Sequence, residues 1–261
     1  MGDIERLVPG TMEWNAFYAN HIFRYKWAES FMGEATISVL DVACGVGYGT
    51  HYLANKFPKS QFTGVDISGE ALEMAKKQFS APNIQFFLDN AEELSLLPTN
   101  QRFDFIISFE TFEHLKNPTK FLESIRKRLN PGGKVLISSP NADRLSDYAT
   151  EEWEYHEKEY TLSEAREIFQ TNGFLVKQAF GQQLNEIGAL KDQIRKELNR
   201  LRSNPFIRLG LWFQKLKGRV IPSAILPEIE SDFLLKKLEV NEKIVDRSSF
   251  VLMFELEGNG G

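Results

Sequence analysis

The chain has 261 residues, 42% of them apolar and 12% aromatic, which is enough to bury one α/β core with an appended element and excludes a disordered chain. A formal net charge of -5 gives no overall attraction to nucleic acid, and no run approaches the ~20 apolar residues of a membrane span. The single cysteine, Cys44, excludes an internal disulfide framework, and with no apolar secretory run at the N-terminus the expected compartment is cytoplasmic.

Residues 1–34 precede the first apolar run and read as a helical cover, with a helix expected from Asn15 to Phe31 that carries Arg24 and Tyr25. Apolar, β-branched runs then recur at Ser38 to Ala43, Gln61 to Asp66, Ile84 to Leu88, Phe103 to Ser108, Lys134 to Ser139 and Phe174 to Phe180. Helical stretches separate them. Ser68 caps one that has Glu70 in its first turn, and Pro118 to Leu129 is another, stopped by Asn130-Pro131-Gly132-Gly133. Thr161 with Glu164 reads as a capping box. Strands alternating with helices predict right-handed crossovers and a mostly parallel sheet within residues 35–181, closed by a last strand at 248–256.

Residues 182–247 read as a mainly helical insertion before that last strand. Between Arg195 and Arg219 basic residues interleave with Phe206, Leu209, Trp212 and Phe213. The apolar positions fall on two sides of the helix, which fits a lid or a homodimer contact better than a membrane-surface helix. Peripheral membrane contact is the lesser expectation, and nucleic acid is not expected as a partner because no aromatic platform on strands is evident.

The segment with the most chemistry is Val39-Leu40-Asp41-Val42-Ala43-Cys44-Gly45-Val46-Gly47-Tyr48-Gly49, a strand running into a tight turn poor in side chains. Ligands of open α/β sheets bind at such strand ends. A dinucleotide fingerprint spaces its glycines GxGxxG, whereas these run GxGxG. Asp41 ahead of them would repel a pyrophosphate and attract an ammonium or sulfonium. Asp66 closes the second strand where an acid can accept ribose hydroxyls, and Asp89-Asn90-Ala91-Glu92 follows the third.

Together with Phe103-Asp104-Phe105-Ile106-Ile107-Ser108 and Leu129-Asn130-Pro131-Gly132-Gly133, this ordered set resembles class I S-adenosylmethionine-dependent methyltransferases over about residues 35–181 and 249–256. The resemblance implies a Rossmann-like α/β fold, with a seven-stranded, mostly parallel sheet and helices on both faces. It implies S-adenosylmethionine as cofactor, with Asp41, Ala43, Gly45 and Gly47 along the methionyl side, Asp66 at the ribose and Ile67 on adenine. It further implies Asp89, Asn90 and Ala91 at the adenine edge and Ser108 and Phe109 beneath the sulfonium. Ala43 departs from the family, which has its first glycine there. The segments Glu5 to Gly10 and His21 to Ala28 are similar to methyltransferases of bacterial surface-glycan biosynthesis.

Methyl transfer discharges a sulfonium, so the protein mainly aligns acceptor and methyl while excluding water. A hydroxyl acceptor must also lose a proton, for which a positioned base contributes roughly 10²- to 10⁴-fold. His156 is the first candidate for that base, against a structural histidine; His114 is the second, and Glu110 or Glu113 would orient either. Arg24 and Tyr25 are candidates to hold the cofactor's carboxylate or an anionic acceptor. No spacing of His, Cys, Asp and Glu marks a metal site, so no metal is expected. The sequence therefore predicts methylation of a small-molecule or glycan acceptor, at oxygen in surface-glycan biosynthesis. N-methylation of an amine or amino sugar and a non-catalytic cofactor-binding partner protein are the alternatives.

Overall fold

The computed structural model describes residues 8–145, 156–203, 233–238 and 251–258. Its strands are β1 (Ser38–Val42), β2 (Gln61–Asp66), β3 (Ile84–Leu88), β4 (Phe103–Phe109), β5 (Leu129–Pro140), β6 (Phe174–Leu184), β7 (Phe233–Leu238) and β8 (Val251–Gly258). Its helices are α1 (Met12–Glu29), α2 (Tyr48–Lys56), α3 (Gly69–Gln78), α4 (Pro118–Arg128), α5 (Ala142–Leu145), α6 (Leu162–Thr171) and α7 (Glu186–Ser203). One sheet runs β3-β2-β1-β4-β5-β8-β6-β7. The pairs among the first five strands are parallel, and β8 is antiparallel to both β5 and β6.

The chain departs from β1 to one side for β2 and β3 and to the other for β4 and β5. The strand ends therefore diverge at the β1/β4 boundary and open a crevice, where the glycine turn lies. Alternation along the strands sorts side chains to two faces. Val39, Phe62, Phe105, Ile107 and Leu136 pack with Ile22, Trp27 and Ala28 of α1 and with Leu53 and Ala54 of α2. Leu40, Val65, Ile106 and Ile137 pack on the opposite face with Phe121, Leu122 and Ile125 of α4 and Phe169 of α6. Each large apolar side chain buried this way contributes about 1.5–3 kcal/mol.

The sheet has eight strands where the resemblance implied seven. The addition is β7, which pairs antiparallel with Ala179 to Leu184 of β6 and buries Phe233 and Leu238. It lies inside the stretch expected to be a helical insertion, and β6 itself runs on past Phe180 to Leu184. A strand edge left open by β8 on only one side of β6 has backbone groups to satisfy, and a short run such as Phe233-Leu234-Leu235-Lys236-Lys237-Leu238 does so. The insertion is helical at α7, while Phe206, Leu209, Trp212 and Phe213 of the basic stretch lie outside the described residues. The Asn130 to Gly133 stop becomes an irregularity within β5: Phe103 pairs with Leu129 and Phe105 with Lys134, so four residues bulge out between two pairs, with Gly132 at φ 73°.

Helix α1 starts at Met12, three residues before the expected Asn15, behind the N-cap Thr11, whose hydroxyl accepts from the Trp14 N–H. Besides its apolar contacts it is tied to β6 by the Gln182 amide, which donates to Asn20 Oδ1 at 2.8 Å. Helix α1 is thus hydrogen-bonded to the sheet at β6. Among the described residues, no helix is long and apolar enough to cross a membrane.

Candidate active site

Asp41, the fourth residue of β1, is 1% exposed. Thr50 in the first turn of α2 donates its hydroxyl to Asp41 Oδ2 at 2.6 Å, and the Tyr25 hydroxyl lies 3.4 and 3.3 Å from the two oxygens. Burial pushes the Asp41 carboxyl up to about 7, against the lowering effect of those two hydrogen bonds and with Asp66 raising it further. Two hydroxyls do not replace lost hydration, so the site is short of positive charge. Burial likewise pushes the Tyr25 phenol and the Cys44 thiol well above their ordinary values, which makes Cys44 an inert packing residue.

The glycines of the turn serve different ends. A Cβ at Gly45 would meet no atom within 4 Å, so that side of the turn opens onto the crevice and lets a ligand approach the backbone. A Cβ at Gly49 would lie 2.0 Å from the Tyr25 ring: this glycine lets α1 lay Tyr25 against Asp41. Gly47 caps α2 in the left-handed conformation. Ala43 is left-handed as well, at φ 59°, which explains why the family has glycine there.

Arg24, one residue before Tyr25 on α1, is 1% exposed. Its Nη2 contacts Glu110 Oε2 at 3.3 Å and donates to Asn20 Oδ1 at 3.2 Å, while Nε and Nη1 are buried without a hydrogen-bond partner. A guanidinium with two orphaned nitrogens suits a carboxylate. Glu110 is itself strained, at φ 50° immediately after β4. Ser138 holds it on β5, with Glu110 N–H donating to the Ser138 hydroxyl at 3.1 Å and that hydroxyl donating to Glu110 Oε1 at 2.7 Å. Strain of about 1–3 kcal/mol of this kind persists only where the surroundings enforce it. Phe109 packs edge-on to Tyr25 with ring centroids 5.1 Å apart, so Arg24, Tyr25, Asp41, Phe109 and Glu110 form one group. Ser108 points the other way, donating to the Val42 carbonyl at 3.2 Å and tying β4 to β1.

On the other side of the turn, Asp66 Oδ2 accepts from Gly45 N–H and Oδ1 from Ser68 N–H, each at 2.9 Å. Both oxygens of Asp66 are thus held at the end of β2 beside the glycine turn. Ile67 beside it is 62% exposed, a large apolar side chain that a flat base would cover. Asp89 is instead turned inward at 4% exposure. It accepts from the N–H groups of Asn90 and Ser95 on Oδ1 and of Leu96 and Leu97 on Oδ2, which uses its acceptor positions to fold its own loop. Asn90 is exposed at that rim, while its neighbour Ala91 is half-buried and packs against the core.

The 3-10 turn Phe112–His114 carries Glu113 and His114 of the candidate catalytic residues. His114 and His156 meet edge to face with ring centroids 4.8 Å apart. The loop bearing His156 is fastened by Glu157 and Lys158 N–H groups donating to the Glu113 carbonyl at 2.8 and 3.2 Å. Glu159 Oε1 accepts from His156 Nδ1 at 2.9 Å. Glu113 is 1% exposed; burial and the neighbouring Glu110 push its carboxyl well above the usual carboxylate range, opposed by Arg24 and by the nearby Ser139 hydroxyl. The sequence reading thus named both histidines without showing that they touch. It missed Thr50, Ser138 and Glu159, of which only Glu159, three residues after His156, left a local signal.

The chain matches the methyltransferase-domain family over residues 19–179. It is 35% identical over 103 residues to a malonyl-[acyl-carrier protein] O-methyltransferase of Priestia megaterium, covering 40% of this chain and 36% of that protein. It is 32% identical over 127 residues to a mitochondrial ubiquinone biosynthesis O-methyltransferase of Candida albicans, covering 47% of this chain and 38% of that protein. The chain thus spans well under half the length of these curated relatives. Among solved structures, the plantazolicin methyltransferase BamL, in complex with a triazolic desmethylPZN analog and SAH, superposes with a TM-score of 0.54 at 20% identity, over 94% of this chain and 89% of that one, and so shares its fold. With the cofactor-side residues fitting the group, and the family match spanning more than half of its length, the chain belongs to the S-adenosylmethionine-dependent methyltransferases of the methyltransferase-domain family.

Proposed function

We propose that the chain transfers a methyl group from S-adenosylmethionine to an oxygen of a small-molecule acceptor. The observation that carries this reading is the group formed by Glu110, Glu113, His114 and His156 at the ends of β4 and β5, joined to the cofactor side through the Arg24 and Glu110 pair. Proton-accepting groups are needed where the acceptor oxygen must lose a proton and less needed for an amine. The O-methyltransferases among the relatives support the same choice.

When bound, S-adenosylmethionine supplies an electrophilic methyl on a positively charged sulfur. In this reading Asp41 faces the ammonium and sulfonium side, Arg24 holds the carboxylate with Nε and Nη1, Asp66 accepts from the ribose, and Ile67 covers adenine. Asn90 and Ala91 lie at the adenine edge, with Asp89 shaping their loop. Tyr25 and Phe109 exclude water beside the reacting carbon. His156, oriented by Glu159, or His114 takes the acceptor proton, while Glu110 positions the acceptor. Helix α1 would wall the acceptor pocket. A sugar-containing acceptor of surface-glycan biosynthesis rests on the likeness of Glu5 to Gly10 and His21 to Ala28 to methyltransferases of that biosynthesis.

The test is incubation with methyl-labelled cofactor and a panel of carboxylic acids, phenols, nucleotide sugars and amines. Label should enter an oxygen acceptor, and His156→Gln should lower kcat by about 10²-fold or more with cofactor affinity retained. Label entering amines alone, at a rate indifferent to His156→Gln, contradicts the reading.

A further inference from the structure

Glu113, His114 and His156 each offer one ligand atom, and these atoms all lie within 4.8 Å of one another, the sole such group among the described residues. Three features go beyond proximity. Glu113 is 1% exposed, yet its Oε2 has no hydrogen-bond partner, a costly state for a buried oxygen, and the Ser139 hydroxyl nearby does not complete a bond to it. Its Oε1 stands 3.8 Å from His114 Nε2, too far for a hydrogen bond and close to the spacing of two ligands on one ion. His156 Nδ1 lies 2.9 Å from Glu159 Oε1, the kind of carboxylate contact that orients a metal-bound histidine.

We propose that Glu113, His114 and His156 form a binding site for a divalent transition-metal ion at the acceptor end of the cleft. One carboxylate and two imidazoles suit Zn²⁺, Mn²⁺ or Fe²⁺, whereas Mg²⁺ and Ca²⁺ favour sets built of oxygen alone. Ligands about 2.1 Å from a common ion stand about 3–3.5 Å apart, so the widest pair must close by about 1 Å. His114 and His156 are 29% and 11% exposed, so solvent reaches the site and another oxygen can take a coordination position. Resting on the oxygen-acceptor reading, that oxygen is the acceptor's: a cation there binds it and lowers its proton affinity, so that with the ion bound His114 and His156 serve as ligands and the ion takes over the part otherwise given to an imidazole base. The ligands are pre-positioned by the backbone, since the loop holding His156 is bonded to the carbonyl of Glu113 itself.

The experiment is calorimetric titration of the tag-free, chelator-treated full chain with Zn²⁺ and Mn²⁺, with no acceptor present. One equivalent should bind, Zn²⁺ more tightly than Mn²⁺. His114→Ala and His156→Ala should each weaken Zn²⁺ binding by about 100-fold or more while S-adenosylmethionine still binds, and Glu159→Gln by about 10-fold. In the unaltered chain, one equivalent of Cu²⁺ should show imidazole-nitrogen modulation in pulsed EPR, a readout that needs no variant to fold. Absence of stoichiometric Zn²⁺ binding, binding indifferent to both histidine substitutions, or Cu²⁺ without imidazole coupling overturns the site. Because no acceptor is used, failure here is separate from failure of the acceptor panel.

Discussion

Asp41 is an acid that the fold holds protonated up to about pH 7, mainly through burial, where water would ionise it near pH 4. In the window between about pH 4 and pH 7 the native state binds a proton that the unfolded chain has released, so its contribution to stability falls as pH rises through that window and levels off above it. A cationic ligand reverses the preference, since it needs the carboxylate. Below about pH 7 cofactor binding must therefore expel a proton, and S-adenosylmethionine affinity should drop by up to tenfold per pH unit on going from about pH 7 to pH 5. Titration of Asp41→Asn should show weak binding without that slope. A wild-type affinity that stays flat across the same range would separate Asp41 from the cofactor's charge. Burial was not readable from Val39-Leu40-Asp41; the sequence placed an acid before the glycines, and Tyr25 and Thr50 arrive only through packing.

At the scale of elements, the turn between β3 and the following segment is organised by Asp89, whose oxygens take four backbone N–H groups from Asn90 to Leu97. Asp89→Ala strands those donors; water can reach some of them, so the expected cost is about 2–4 kcal/mol rather than the full sum. Chemical unfolding should show a lower midpoint for Asp89→Ala and a smaller loss for Asp89→Asn, which keeps one acceptor oxygen. Equal stability for Asp89→Ala and wild type would mean that the loop is held by something else, such as Arg128, which donates to the Leu94 and Leu97 carbonyls. Strands and caps were legible in sequence because their signals are local: Ser68, Thr161 with Glu164, and the alternating runs all fall where expected. The β7 strand was not, since two of its six residues are lysines and its pairing depends on an edge that only the assembled sheet presents.

For the whole molecule, the cofactor side was readable because its residues lie at successive strand ends, in chain order, and a parallel sheet brings such ends to one edge. The acceptor side was readable as residue types but not as a group. His114 and His156 lie on different loops, and their contact depends on backbone bonds from Glu157 and Lys158 to Glu113. The central claim is that the crevice between β1 and β4 receives a sulfonium nucleoside rather than a dinucleotide. It is tested most directly by calorimetry of the full chain with S-adenosylmethionine, S-adenosylhomocysteine and NAD. Both adenosyl ligands should bind at one equivalent and weaken by at least tenfold with Asp66→Ala or Arg24→Ala, with no heat from NAD. Saturable NAD binding without binding of either adenosyl ligand would contradict the account.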